Sequence, residues 1–146
     1  MPTSKVTVRF PCPVEQVWQT VTDLTRASWR SDLARVEVMD ATHFVEHTKN
    51  GYATNFTVTV FEPCRRWAFT MENNNMSGSW EGIFEATADG ARLTCTETIN
   101  AKHWWMRSFV PGYLKRQQKL YLDDLRKELD HENQTGTSTD MKISRT

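Results

Sequence analysis

Ser79-Trp80-Glu81-Gly82-Ile83-Phe84-Glu85-Ala86, a turn at Asp89-Gly90, and Ala91-Arg92-Leu93-Thr94-Cys95-Thr96-Glu97-Thr98-Ile99 decide how this chain folds. Taken every second residue, one side reads Trp80, Gly82, Phe84, then Leu93, Cys95, Glu97, Ile99. The other side reads Ser79, Glu81, Glu85, then Arg92, Thr94, Thr96, Thr98. Alternation with a period of two places successive side chains on opposite faces of a strand, so this stretch predicts a hairpin with one covered and one wet side. Asp89-Gly90 suits the tight turn between the two strands, because both residues tolerate positive φ. Upstream the same pattern recurs in Tyr52, Phe56, Val58 and Val60, then in Trp67, Phe69 and Met71, opposed by Asn55, Thr57, Thr59, Arg66 and Thr70. Four such segments in succession make an antiparallel sheet with one apolar face. Within that face stands a single carboxylate, Glu97.

Further out, Asn50-Gly51 marks another hairpin turn, with His43 to Thr48 before it and Val36 and Val38 in an earlier strand. Val6, Val8 and Phe10 alternate in a first strand from Ser4, which Pro11-Cys12-Pro13 ends. Val14, Val17, Trp18, Val21 and Leu24 then recur at helical spacing behind Pro13, and Thr25 to Arg30 reads as a second short helix or turn. A long helix from about His103 to Asp130 carries the stripe Leu114, Gln118, Tyr121, Leu122, Leu125, Leu129, with Pro111-Gly112 kinking it or marking its true start. The sum is an α+β domain. A curved antiparallel sheet of about seven strands wraps the C-terminal helix, and two short helices follow the first strand. Residues 1–130 form this one domain, and the polar, aperiodic residues 131–146 are expected to be a disordered tail. A twisted sheet gripping a helix does not close tightly along its whole length, so a pocket is expected between them.

The 18 basic and 18 acidic residues balance, which argues against a nucleic-acid partner, although a local patch can survive a zero total. No apolar stretch approaches a membrane span, so no integral membrane association is expected. Cys12, Cys64 and Cys95 share no metal-ligand spacing and read as reduced structural thiols. With no basic and apolar export pattern at the start, a cytoplasmic location is expected. His43, His47, His103 and His131 show no metal spacing either, so neither a metal nor another cofactor is expected.

Pro13-Val14-Glu15-Gln16-Val17-Trp18, then Thr22-Asp23-Leu24, then Trp29-Arg30-Ser31-Asp32 resemble the opening of the START/Bet v 1-like (SRPBCC) superfamily, in its polyketide cyclase/dehydrase-like branch. Phe84-Glu85-Ala86 with Asp89-Gly90-Ala91-Arg92-Leu93-Thr94 is similar to that superfamily's hairpin, and Leu120 to Leu129 to its closing helix. The resemblance covers about residues 4–130 and implies the helix-grip fold. It also implies an apolar ligand such as a lipid, sterol, quinone or polyketide, and a reaction in some members only.

Candidate ligand-binding residues follow from the inward faces: Trp29, Tyr52, Phe56, Val58, Trp67, Phe69, Trp80, Phe84, Cys95, Glu97, Leu114, Gln118 and Tyr121. Glu97 is the candidate for chemistry, since an ionised carboxylate among apolar neighbours must pair, accept hydrogen bonds or keep its proton. The plainer reading puts it near the strand end, reaching water or an arginine. Gln118 needs a partner in a ligand, a cavity water or a strand side chain. Gly82 leaves room for a ligand or marks a bend.

Three functional readings follow. The first is a carrier or receptor of a small hydrophobic molecule held between sheet and helix. The second is a cyclase or dehydratase with Glu97 as acid/base and a tyrosine beside it. The third is a protein-interaction module using Trp104-Trp105 and the C-terminal tail.

Overall fold

The alternating segments become β1 (Thr3–Phe10), β2 (Leu33–Val38), β3 (His43–Thr48), β4 (Ala53–Glu62), β5 (Arg66–Glu72), β6 (Met76–Thr87) and β7 (Gly90–Ala101). A computed structural model describes residues 2–145, with side chains through residue 134. All seven strands form one antiparallel sheet in the order β1-β7-β6-β5-β4-β3-β2. The meander β2 to β7 is therefore sequential, and β1 adds beyond its last strand. Helix α1 (Val14–Thr22) follows β1, and a 3-10 helix (Trp104–Phe109) leads into the long helix α2 (Val110–Arg145). Pro111 thus falls in the first turn of α2, where its missing N–H costs nothing, and the helix starts there instead of kinking.

The inner face of the sheet is built from rings. Phe44 stacks on Phe56 at 4.7 Å, Phe56 meets Phe69 edge-on at 5.2 Å, and Phe69 stacks on Trp80 at 5.1 Å. Against them α2 lays Leu114, Leu122, Leu125 and Leu129, all buried. Trp18 of α1 closes one end, edge-on to Phe84 at 4.9 Å. Residues 131–134 continue α2, and the Glu132 carboxylate accepts hydrogen bonds from the Thr20 hydroxyl at 2.9 and 3.0 Å. The rest of the polar tail expected over 131–146 lies outside the described side chains.

Three local departures have physical causes. The segment Thr25 to Arg30 is a run of turns, so one short helix follows β1 instead of two. Within that run the Asp23 Oδ1 accepts the Thr25 N–H and hydroxyl at 3.1 and 2.6 Å, which closes a local turn. In β4 a register shift between Val58 and Val60 inserts one residue against β5. Phe61, not Val60, then comes opposite Trp67, and its ring reaches Trp18 at 5.3 Å. Tyr52 stands before β4 in the turn closed by Thr48, whose hydroxyl accepts the Tyr52 N–H at 3.0 Å. With Gly51 at φ +90°, this turn directs Tyr52 to solvent, 55% exposed.

Candidate functional site: a cavity between sheet and C-terminal helix

One row of inward positions runs across five strands: Val58, Phe69, Trp80, Glu97 and Ser4, each paired with the next. Ser4 ends that row and takes up Gln118 of α2 completely. The Ser4 hydroxyl donates to Gln118 Oε1 at 2.6 Å, and Gln118 Nε2 donates to the Ser4 carbonyl at 2.9 Å. Gln118 is therefore a clamp between α2 and the sheet edge, the partner being on a strand. Glu97, one position in, has no hydrogen bond or ion pair among the described residues.

Between these layers lies a cavity of about 130 Å³. Of the expected residues, Trp29, Phe56, Trp67, Phe69, Trp80, Cys95, Glu97, Gln118 and Tyr121 line it. Four do not. Tyr52 is in solvent, for the reason given above. Phe84 is spent on Trp18, Leu114 is packed in the core at 1% exposure, and Val58 packs on the core without reaching the cavity. The space at Gly82 is occupied by protein: a Cβ there would stand 2.5 and 2.9 Å from carbons of the Trp80 ring and 3.2 Å from Phe84. Glycine at this point lets the Trp80 indole lie down along the strand and roof the cavity. Several lining residues stay partly exposed, among them Ala27, Met76, Tyr113 and Gln117.

The polar wall comes from the turn segment after α1. Asp124 of α2, itself buried, pins that segment by accepting the Ser31 N–H at 2.9 Å and the Ser31 hydroxyl at 2.7 Å. Arg30 is thereby aimed inward. Its guanidinium bridges Asp32 and Glu46 of β3, each at 3.3 Å, and lies over the Tyr121 ring at 4.9 Å. Trp29, next in the chain, meets Tyr121 edge-on at 5.4 Å. Its indole Nε1 is buried and has no acceptor among the described residues. An unmet N–H of this kind costs about 1–3 kcal/mol.

The one Arg or Lys of the lining, Arg30, is paired with Asp32 and Glu46, which leaves Glu97 without a counter-charge of its own. Burial pushes its carboxyl up to about 7, the Arg30 charge draws it down, and the charge of Glu46 pushes it up again. The carboxylate stays partly accessible because the cavity reaches it, although protein crowds it on every side. The Cys95 thiol is pushed up to about 12, first by burial and then by Glu97, so it is an inert wall atom at neutral pH. Tyr121 and Tyr113 are both raised, chiefly by burial, and stay neutral hydroxyls.

Residues 1–130 match the family model for polyketide cyclase/dehydrase and lipid transport. The chain belongs to that family. No curated protein matches the sequence. Among solved structures, a START superfamily protein of Mycobacterium smegmatis superposes with a TM-score of 0.76 at 11% identity, over 88% of this chain and 97% of that one. A protein of Mesorhizobium loti gives 0.75 at 17% identity, again over 88% and 97%. The di-domain ARO/CYC protein BexL gives 0.70 at 17% identity, where 86% of this chain covers 48% of that one. These likenesses show a shared fold.

In this polyketide cyclase/dehydrase and lipid transport family member, the unforeseen lining residues include the charged group Arg30, Asp32 and Glu46. For Glu46 the signal was present in the sequence. The alternation that turns Phe44 inward also turns Glu46 inward, two residues on. Arg30 and Asp32 had no periodic signal, since a turn segment has none. Among the described residues, no cluster of three metal-binding side chains is formed, and no helix is long and apolar enough to cross a membrane. His43 faces Asp40 at 2.9 Å and His47 faces Glu37 at 3.1 Å, both away from the cavity.

Proposed function

We propose that the chain binds a small hydrophobic molecule through one ring-sized portion carrying a hydrogen-bond acceptor, with the remainder leaving past the partly exposed lining residues Tyr113 and Met76. The observation that carries this reading is the buried Trp29 Nε1–H, which has no acceptor among the described residues, on a side chain that lines the cavity. A ligand carbonyl or ether oxygen would meet that donor, while the rings of Phe69, Trp67 and Trp80 supply the apolar wall. Size limits the choice: a cavity near 130 Å³ is comparable to the roughly 150 Å³ that holds one benzene ring. A matched pair of probes, acetophenone and ethylbenzene, tests it by tryptophan fluorescence or calorimetry. The ketone should bind at least about tenfold more tightly, and Trp29→Phe should erase the difference, one good hydrogen bond being worth about 1.4 kcal/mol. Equal binding of the two probes, or of neither, would sink the reading.

A second reading, an acid/base enzyme of the cyclase or dehydratase type, is favoured by one observation. The Glu97 carboxyl, pushed up to about 7 by burial, is partly protonated near neutrality and shares the cavity with the neutral Tyr121 hydroxyl, a state suited to a general acid. Glu97→Gln separates the two readings, because it should abolish turnover of a polyketide-like ketone and leave its binding within a few-fold.

A further inference from the structure

The 3-10 helix turns Met106 toward the core and leaves Trp104, Trp105 and Phe109 in solvent at 78%, 58% and 67% exposure. The segment around them is electrically one-sided. From Thr98 to Leu122 the chain spends five of its 18 basic residues and none of its 18 acidic ones, so the remainder is net acidic. Lys102 is held by Glu72 and Lys119 by Asp123, but Arg107, Lys115 and Arg116 have no carboxylate partner among the described residues. Arg107 stands just before the N-terminal end of α2, a place that helix stability does not favour for a cation. The first turn of α2 has no acidic residue, and the N-terminal end of a helix already carries partial positive charge. Arg116 leans back toward that end, its guanidinium within 3.7 Å of where a Cβ on Gly112 would stand. Three exposed rings and three cations without carboxylate partners thus share one stretch of the chain.

We propose that Trp104, Trp105 and Phe109, together with Arg107, Lys115 and Arg116, dock this end of the molecule on an anionic lipid bilayer. Rings at such an interface sit at the headgroup level, and the unpaired cations between them reach lipid phosphates. A protein partner would match less well, since interface cores are depleted of charge, whereas here Arg107 stands between Trp105 and Phe109 and two more cations follow within the next seven residues. The net acidic remainder of the chain is repelled by the same surface, which orients the molecule. Docking so would bring one side of the cavity wall near the membrane, because its lining residues Tyr113 and Gln117 follow within about two turns of α2 and Met76 pairs with Ala101 just before the patch. The inference does not depend on what occupies the cavity.

Sedimentation of the full chain with vesicles tests it, using phosphatidylcholine alone and phosphatidylcholine mixed with phosphatidylglycerol. The chain should bind the mixed vesicles, weaken as salt rises, and bind the neutral ones poorly. Trp104→Ala/Trp105→Ala should lose at least about tenfold in affinity by removing two interfacial indoles. Arg107→Gln/Lys115→Gln/Arg116→Gln should lose about fivefold per charge. Both sets lie in solvent, so an unchanged melting temperature shows that folding is intact. No binding to mixed vesicles would overturn the proposal, as would binding that both variants retain. So would a concentration-dependent dimer that the tryptophan variant abolishes, since the rings would then cover a second copy.

Discussion

Glu97 has its carboxyl raised from the usual 4.5 to about 7 by burial, with the Arg30 charge drawing it down and the charge of Glu46 pushing it up. A proton held more tightly in the folded chain than in the unfolded one makes stability fall as pH rises between those two values, and level off above the higher one. A shift of this size corresponds to at most about 3 kcal/mol. Glu97→Gln should therefore flatten the stability–pH profile between pH 4.5 and 7, and the variant should be the more stable protein at pH 8, as denaturant titrations at several pH values would show. If wild type and variant keep a constant difference across that window, Glu97 is not the buried acid described here. Arg30→Met should act in the opposite sense. It strands Asp32 and Glu46, costs about 3–5 kcal/mol as the loss of one partner of a buried pair, and drives the Glu97 carboxyl higher still.

Single elements matter here through two joints. The first ties the turn segment before β2 to α2, where Ser31 gives both its N–H and its hydroxyl to the Asp124 carboxylate. Asp124→Ala should cost up to about 3 kcal/mol, and faster amide exchange should be confined to residues 24–32, because Arg30 and Trp29 lose their aim together. Exchange spread evenly over the sheet would argue that Asp124 supports the core instead. The second joint is Gly82 under the Trp80 ring. Gly82→Ala forces a methyl to 2.5 Å from that ring, so the indole must lift into the cavity. A destabilisation of about 1–3 kcal/mol with lost probe binding is expected, read by thermal melts and by fluorescence titration.

At the scale of the whole molecule, the sheet and α2 are held together around a void, and filling it should be a stabilising event. A ligand at about a hundred times its Kd adds about 2.7 kcal/mol, which for a domain of this size raises Tm by on the order of 10 °C. Acetophenone at saturation should give a rise of that order in the wild type and a smaller one in Trp29→Phe. A probe that binds without any thermal shift would be sitting outside the layers.

Phe56, Trp67, Phe69, Trp80, Cys95 and Glu97 were legible as cavity residues because strand alternation is a local rule: each side chain's face follows from its neighbours two positions away. The stripe Leu114, Gln118, Tyr121, Leu122, Leu125 and Leu129 followed from helical spacing for the same reason. Val60 was misplaced where one inserted residue in β4 reset the count, and Tyr52 where the hairpin turn took one residue more than its signal showed. Gln118 had an obvious need for a partner, but its partner Ser4 is 114 residues away, and no spacing rule spans that distance. So the amino-acid sequence by itself determined the strands, their faces, the helix stripe and the presence of one acid among oily neighbours. Only the tertiary structure decided that Arg30 and Glu46 flank that acid, that Trp29 keeps a buried N–H without an acceptor, and how much room is left. Those depend on segments distant in the chain being pressed together, and burial and charge become energies only once that approach has removed the water.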